Sequence, residues 1–220
     1  MSFKDSETNM RIRRRRVMTF FATALLLASC VGMTAQARAD DVSQALGLIQ
    51  STASQLLDVI NSSQSEAQKQ TAMQQLVRGA VDVDGVARFV LGRYWRVATP
   101  AQQQDYMQTF RQLLVYAVTG QASTFQGAKF SVGQAVQRDS GIVVDTNVLV
   151  PGKPAAQVQW VVATIDGQPK IIDIIAEGTS LRLTERNDYA GVISQHGGQI
   201  QPLLDAMHQQ LARFQSNAAG

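Results

Sequence analysis

The residues that could perform catalysis are few. The chain contains two histidines, His196 and His208, and one cysteine, Cys30. A catalytic zinc ion needs three protein ligands and an activated nucleophile needs a base beside it, and the spacing of these residues fits neither pattern. The sequence also lacks the glycine-rich motifs that bind nucleotide phosphates and the serine elbow of hydrolases. We therefore predict that the protein is not an enzyme and requires no cofactor or metal ion.

Three arginines surround an aromatic pair. Arg88, Arg93 and Arg96 lie on either side of Tyr94-Trp95. A guanidinium group binds phosphate oxygens through a fixed fork of N–H donors, so these arginines are candidates for contact with a lipid headgroup or an acidic partner. The same pattern also fits a solvated helix face on which arginine stems cover an aromatic ring. The sequence leaves both interpretations open.

The N-terminal segment has the three parts of an export signal. A basic cluster at 11–16 precedes the apolar run 17–31, and Ala37-Arg38-Ala39 has the small-x-small pattern of a peptidase site. The apolar run has about 15 residues, fewer than the roughly 20 that a stable transmembrane helix needs. We predict a signal peptide over 1–39 that is cleaved after Ala39, which places the mature chain in the periplasm.

A lipid anchor is the alternative for this segment. Leu27-Ala28-Ser29-Cys30 resembles a lipoprotein box, in which Cys30 would become the lipidated first residue of the mature chain. We favour ordinary cleavage because the Ala37-Arg38-Ala39 site follows nine positions later. If the anchor were used, the protein would be a membrane-tethered adaptor with no lipid cargo.

The predicted signal peptide and the remainder of the chain differ in net charge. Residues 1–39 contain seven of the 20 basic residues and two of the 17 acidic residues, so residues 40–220 are slightly acidic. The basic surface that nucleic-acid binding requires is therefore missing, and we expect no nucleic-acid partner. Without Cys30 the mature chain has no disulfide, so a packed core must stabilise it. Residues 40–220 are enough for a single domain.

Helical periodicity covers both ends of the mature chain. Apolar residues recur at three- and four-residue steps from Val42 to Ile60, and Thr99-Pro100-Ala101-Gln102 has the chemistry of a capping box with proline at the first helical position. Asp84 is a candidate N-cap for a shorter helix. The predicted helices cover 42–60, 66–77, a segment from 84, a segment from 100, 180–196 and a final segment from 200.

Alternating patterns in the middle of the chain predict four strands. These strands cover 130–137, 142–150, 156–165 and 170–176, and turn residues such as Asp166-Gly167 join them. Connections this short require an antiparallel meander. We predict an α+β fold in which a four-stranded antiparallel meander packs against N- and C-terminal helices. Apolar residues on both faces of the strands fit either helices on both sides or an apolar cavity between sheet and helices.

Two stretches of the chain resemble a known family. Leu-Gly-Arg-Tyr-Trp at 91–95 is followed by Thr99-Pro100, and Ala-Glu-Gly-Thr-Ser at 176–180 is followed by Asn187-Asp188-Tyr189. Together with the order of helices and strands, these residues resemble the MlaC (Ttg2D, toluene-tolerance) family. A hopanoid-associated subgroup has a similar Gly-Arg-x-Trp stretch.

The resemblance implies a periplasmic lipid carrier with no catalytic residues. Members of this family hold acyl tails in a cavity between sheet and helices. They carry a phospholipid between an outer-membrane lipoprotein complex and an inner-membrane ABC transporter with an MCE-domain protein. The cargo of this chain is thus expected to be a phospholipid or a hopanoid-like lipid.

The residues that line the cavity follow from the strand faces. One face of the meander, the capped helix and the helix from 84 supply the candidates, although a shift of one residue would exchange the two strand faces. The predicted lining residues are Phe89, Phe110, Leu114, Val144, Val148, Val158, Trp160, Val162, Ile172 and Ile174.

Overall fold

The structure is a computed structural model that describes residues 39–120 and 122–219, with only the backbone described at 122–123 and 217–219. Residues 1–38 of the predicted signal peptide, including Cys30, lie outside the described part. Among the described residues, no helix combines the length and apolar character that a membrane span requires.

The described part of the chain contains six α-helices. Short 3₁₀ helices follow α3 and α4, at Gly92–Arg96 and Ala122–Phe125. The helices are α1 (39–61), α2 (Glu66–Ala80), α3 (Val83–Leu91), α4 (Pro100–Gly120), α5 (Leu181–Gln195) and α6 (Gln201–Ala219).

The strands form one antiparallel meander in chain order, which confirms the predicted α+β class. The predicted number of four strands is wrong, because a short fifth strand pairs with the end of β4. The backbone reverses at Glu177 and Gly178, which both have positive φ, so the next two residues run back along β4. The strands are β1 (Lys129–Arg138), β2 (Gly141–Leu149), β3 (Ala156–Ile165), β4 (Gln168–Ala176) and β5 (Thr179–Ser180).

Side-chain caps begin α2, α3, α4 and α5, and α4 begins as predicted. The backbone N–H of Gln102 donates to Thr99 Oγ1 at 3.2 Å, and the backbone N–H of Thr99 donates to Gln102 Oε1 at 3.1 Å. The predicted cap of α3 is wrong. Asp82 caps this helix by accepting the backbone N–H of Gly85 at 3.0 Å, whereas Asp84 lies in the first turn and pairs with Arg111.

The register of the meander decides which residues share a face. Val144 pairs with Trp160, and Val148 pairs with Ala156, so the even-numbered residues of β2 and β3 point to the same side. This side faces the helices, because Val144 and Trp160 pack with Ala45 and Ile49 of α1. A bulge in β4 opposite Val161 and Val162 changes the alternation there, so that Ile171 pairs with Val162.

Two separate cores hold the fold together. The helical core contains buried residues of α3, α4, α5 and α6, including Ala87, Tyr106 and Leu204. The sheet core packs α1 and the end of α2 on the strands, and it consists of Ala45, Ile49, Ala80, Ile142, Val144, Val162 and Ile171. Residues of both cores also border a space between the helices and part of the sheet.

Candidate functional site

A pocket of about 460 Å³ lies between the sheet and helices α1, α2 and α4. We call it the central pocket. Its lining joins residues of the sheet core, such as Ile49, to residues of the helical core, such as Val77 and Phe110. All but four of its lining residues are apolar, and the exceptions are Thr52, Asp173, Arg182 and Glu185.

The central pocket has a closed end and an open end. The sheet core closes it where the first turns of α1 pack on the strands, at Ala45 and Ile49. Near the end of α1, Asn61 Oδ1 accepts the backbone N–H of Gly127 at 3.1 Å, which ties this helix to the segment before β1. Phe125 and Leu181 of the lining are 37% and 46% exposed, and we call these two residues, together with Arg182 and Glu185, the mouth.

Polar side-chain atoms in the sheet wall are hydrogen-bonded to protein partners. Trp160 Nε1 donates to Thr146 Oγ1 at 3.0 Å, and the Thr146 hydroxyl donates to the Val158 carbonyl oxygen at 2.8 Å. The Trp160 ring also makes an edge contact with Phe130, with centroids 6.4 Å apart. Since the indole N–H is satisfied within the sheet, the ring presents apolar surface to the central pocket.

The structure places seven of the ten predicted lining residues around the central pocket. They come from α4 and from strands β2, β3 and β4. These residues are Phe110, Leu114, Val148, Val158, Trp160, Ile172 and Ile174.

The other three predicted lining residues lie elsewhere. Val144 and Val162 are on the expected face of the sheet, but α1 packs directly on them, so they are buried in the sheet core. Phe89 is on the wrong side of α3, because Val86 and Val90 turn toward the central pocket and position 89 lies about 100° from position 90. The Phe89 ring instead lies under two guanidinium groups.

The predicted arginine cluster does not reach the central pocket. Arg88, Arg93 and Arg96 are exposed, and none belongs to its lining. The Arg88 guanidinium lies 5.4 Å from the Trp95 ring centroid, and Arg93 Nη2 donates to Tyr94 Oη at 2.8 Å. These contacts match the solvated helix face that the sequence also allowed.

Sequence reasoning missed the wall made by α1 and α2. Leu56, Leu57 and Ile60 of α1 line the central pocket together with Met73 and Leu76 of α2. The α1 residues belong to a recognised apolar stripe, but a stripe only predicts burial and does not distinguish a packed neighbour from an empty space.

A buried ion pair organises the mouth. Asp173 is 8% exposed, and its Oδ1 accepts the backbone N–H groups of Ile174 at 2.8 Å and Arg182 at 3.2 Å. Its Oδ2 accepts the Ser180 hydroxyl at 2.6 Å and lies 3.4 Å from Arg182 Nε. Ser180 is the N-cap of α5, so this carboxylate fixes the start of α5 beside β4.

Glu185 is the second acidic group of the lining. Burial raises the pKa of this carboxyl above its ordinary value, and the negative charge of Asp188 raises it further. The side chain makes no ion pair or hydrogen bond with any residue that the structure describes. Its charge therefore lies at the edge of an apolar space without a protein partner in that part of the chain.

The histidines have structural contacts. His196 Nδ1 lies 2.8 Å from the Val192 carbonyl oxygen at the end of α5, and His208 Nε2 lies 2.7 Å from Asp105 Oδ1. Over the described ranges, no group of three His, Cys, Asp or Glu side chains is placed to hold a metal ion. The central pocket is thus an apolar space with charged residues at its mouth.

Comparison with known proteins agrees with this arrangement. The family described as MlaC protein matches residues 50–209. The chain belongs to the MlaC family. This confirms the resemblance seen in the sequence, and the MlaC match includes both stretches that carried it, at 91–95 and 176–180.

Two relatives of this MlaC member are informative. The toluene tolerance protein ttg2D of Pseudomonas putida is 23% identical over 150 residues, which cover 67% of this chain and 69% of that protein. A phospholipid-binding protein from Ralstonia solanacearum, solved in complex with a phospholipid, superposes with a TM-score of 0.67. It is 23% identical, and the match covers 78% of this chain and 98% of that one. At this identity the superposition shows a shared fold.

Proposed function

We propose that this MlaC member is a periplasmic phospholipid carrier that holds acyl tails in the central pocket. The observation that carries the proposal is the pocket itself, which combines about 460 Å³ of space, an almost wholly apolar lining and a mouth at the surface. Ligand sites in proteins typically have this size and character. The charged residues lie at the mouth, where a polar headgroup would remain in water.

The energetics of lipid transfer require such a container. Each methylene group exposed to water costs roughly 0.8 kcal/mol, so a lipid with two long tails leaves a membrane very slowly without help. An apolar lining that surrounds the tails removes most of this cost. Trp160, Phe110 and Leu114 supply large apolar surfaces on opposite sides of the space.

The relatives support the class of cargo. The Ralstonia protein has the same fold and was solved with a phospholipid. We propose that the present chain binds the same class of molecule, and a hopanoid-like lipid is the alternative cargo that the sequence suggested. The signal peptide predicted over 1–39 would deliver the chain to the periplasm.

We further propose the partners that family membership suggests. A carrier in the periplasm would exchange lipid with an inner-membrane ABC transporter that has an MCE-domain protein and with an outer-membrane lipoprotein complex. Arg88, Arg93 and Arg96 are exposed on the surface away from the central pocket, where they could contact acidic residues of such partners. Reversing these three charges should weaken capture of the partners from solubilised membranes and leave the lipid content unchanged.

One experiment tests cargo and processing together. The full chain, with its own N-terminal segment, is produced in a Gram-negative host and purified from the periplasmic fraction. Organic extraction and mass spectrometry identify bound lipid, and the intact mass locates the first residue. We expect phospholipid at a defined ratio to protein and a chain that begins at Asp40. A lipidated Cys30 with no extractable lipid would instead indicate the tethered adaptor.

A further inference from the structure

Two oppositely charged residues lie at the mouth of the central pocket. We propose that Arg182 binds the phosphate of a phospholipid and Glu185 binds a primary ammonium group of the same headgroup. The protein would then select ethanolamine phospholipids over lipids that have the same tails and an anionic headgroup. This inference rests on the proposed function and assigns a headgroup class to it.

The positions of the two residues on α5 support a shared ligand. Arg182 and Glu185 are three residues apart, so they lie on neighbouring positions of one helix face, and both belong to the pocket lining. They do not pair with each other. Arg182 pairs with Asp173, and Glu185 has no ion pair with any described residue. A zwitterionic headgroup offers one partner to each side chain.

Arg182 is held in place by contacts that leave part of its guanidinium unused. Nε lies 3.4 Å from Asp173 Oδ2, and Cζ lies 4.4 Å from the Phe89 ring centroid. Within the described chain, neither Nη nitrogen donates a hydrogen bond to a protein acceptor. Arg186 lies over the same ring at 4.9 Å and adds a second positive charge. Guanidinium N–H groups in this arrangement are suited to phosphate oxygens.

Glu185 discriminates between headgroups that have an ammonium group and anionic headgroups. When lipid tails fill the central pocket, they displace water near this carboxylate, and an unpaired charge in such surroundings is costly. An ammonium group compensates that charge, whereas an anionic headgroup would add repulsion. Partial burial and then the negative charge of Asp188 raise the pKa of Glu185, and none of the described residues forms an ion pair with it.

A loading competition tests the inference. The purified mature protein is stripped of lipid and incubated with vesicles that contain phosphatidylethanolamine and phosphatidylglycerol in equal amounts with identical acyl chains. Bound lipids are then extracted and their ratio is measured. We expect wild type to favour phosphatidylethanolamine by about two- to fivefold, which corresponds to one partly exposed ion pair. Glu185→Gln should bring the ratio close to one, and Glu185→Lys should favour phosphatidylglycerol.

The control and the contrary outcomes separate this inference from the proposed function. Glu66→Gln makes the same chemical change on an exposed glutamate of α2 outside the pocket lining, and it should keep the wild-type ratio. Equal loading of both lipids by wild type, or an unchanged ratio in Glu185→Gln, would overturn the headgroup assignment alone. Failure of wild type to load either lipid would overturn the carrier proposal. The ratio of the two lipids bound to wild type tests the headgroup assignment even if a variant does not fold.

Discussion

Trp160 and Thr146 are joined across β3 and β2 by a hydrogen bond of 3.0 Å from the indole N–H to the threonine hydroxyl. The two residues are close because Thr146 pairs with Val158 and therefore lies beside Trp160 on the same face. The bond keeps the only polar atom of the indole inside the sheet. The largest side chain of the sheet wall can thus face an apolar ligand without exposing an unsatisfied donor.

Replacing Thr146 by valine should destabilise the protein. The variant keeps the shape of the side chain but leaves the buried Trp160 N–H without its acceptor, which costs about 2 kcal/mol. For a domain of this size we expect Tm to fall by roughly 4–8 °C. Thermal denaturation measures the effect, and Thr164→Val, at an exposed position of β3, serves as the matched control. An equal change in Tm for both variants would show that the hydrogen bond of the indole N–H does not contribute to stability.

Val148→Arg should remove bound lipid from a folded protein. Val148 lines the central pocket, and an arginine there places a charge in the space for the tails while its long stem can reach toward the mouth. Circular dichroism checks folding, and lipid extraction measures the bound amount. Leu149→Arg is the control, because Leu149 is 49% exposed on the opposite face of β2. Normal lipid content in folded Val148→Arg would exclude this strand face from the binding site.

Val162→Arg should behave differently although Val162 was predicted in the same lining. Its side chain is 1% exposed in the sheet core, under α1. An arginine there buries an unpaired charge among packed side chains, and the cost exceeds what a marginally stable domain can tolerate. We expect insoluble or unfolded protein in expression trials. A folded variant that merely lacks lipid would indicate that position 162 faces the pocket after all.

These two valines show how far the sequence predicts the site. Alternation along β2 and β3 correctly assigned Val148 and Val162 to one face, because side-chain direction has a period of two in any strand. It did not reveal that α1 covers one end of that face and leaves the other end open. That difference depends on the angle and length of α1 relative to the sheet, which are set by tertiary packing.

The starts of the helices show the same difference between what local sequence predicts and what tertiary packing decides. The capping box at Thr99 is local chemistry, so it predicted the start of α4 correctly. Asp84 is the predicted cap of α3, but the observed cap, Asp82, is an equally acceptable N-cap residue in sequence. The choice depends on where the preceding backbone runs, and here the backbone N–H of Asp82 donates to the Ile171 carbonyl oxygen of β4 at 3.0 Å. No local pattern contains that contact.

Asp173→Ala should be strongly destabilising. It removes the acceptor of the Ser180 hydroxyl and of two backbone N–H groups, and it leaves the partly buried Arg182 without its counter-charge. Breaking a buried pair from one side costs about 3 kcal/mol. Chemical denaturation measures the free energy of unfolding. Asp58→Ala, at an exposed position of α1, should change it by less than about 0.5 kcal/mol.

Glu185→Gln should stabilise the protein in a pH-dependent way. The folded pKa of this carboxyl lies above its unfolded value, so the folded state binds the proton more tightly than the unfolded state does. Its ionisation therefore lowers stability progressively as pH rises from the unfolded pKa, about 4.3, through the folded pKa. We expect a higher Tm than wild type at pH 7 and no difference near pH 4. A difference in Tm between Glu185→Gln and wild type that stays constant with pH would contradict the raised pKa of Glu185.

The wall formed by α1 and α2 comes from one uninterrupted stretch of chain that contributes no strand to the sheet. Leu56 and Met73 can therefore be exchanged for smaller or larger side chains without disturbing strand pairing. If the chain carries lipid as proposed, its preference for tail length depends on these side chains of α1 and α2, whereas the pairing of the strands does not. In such a carrier, substitutions confined to this helical pair would change which lipids fit and would leave the sheet unaltered.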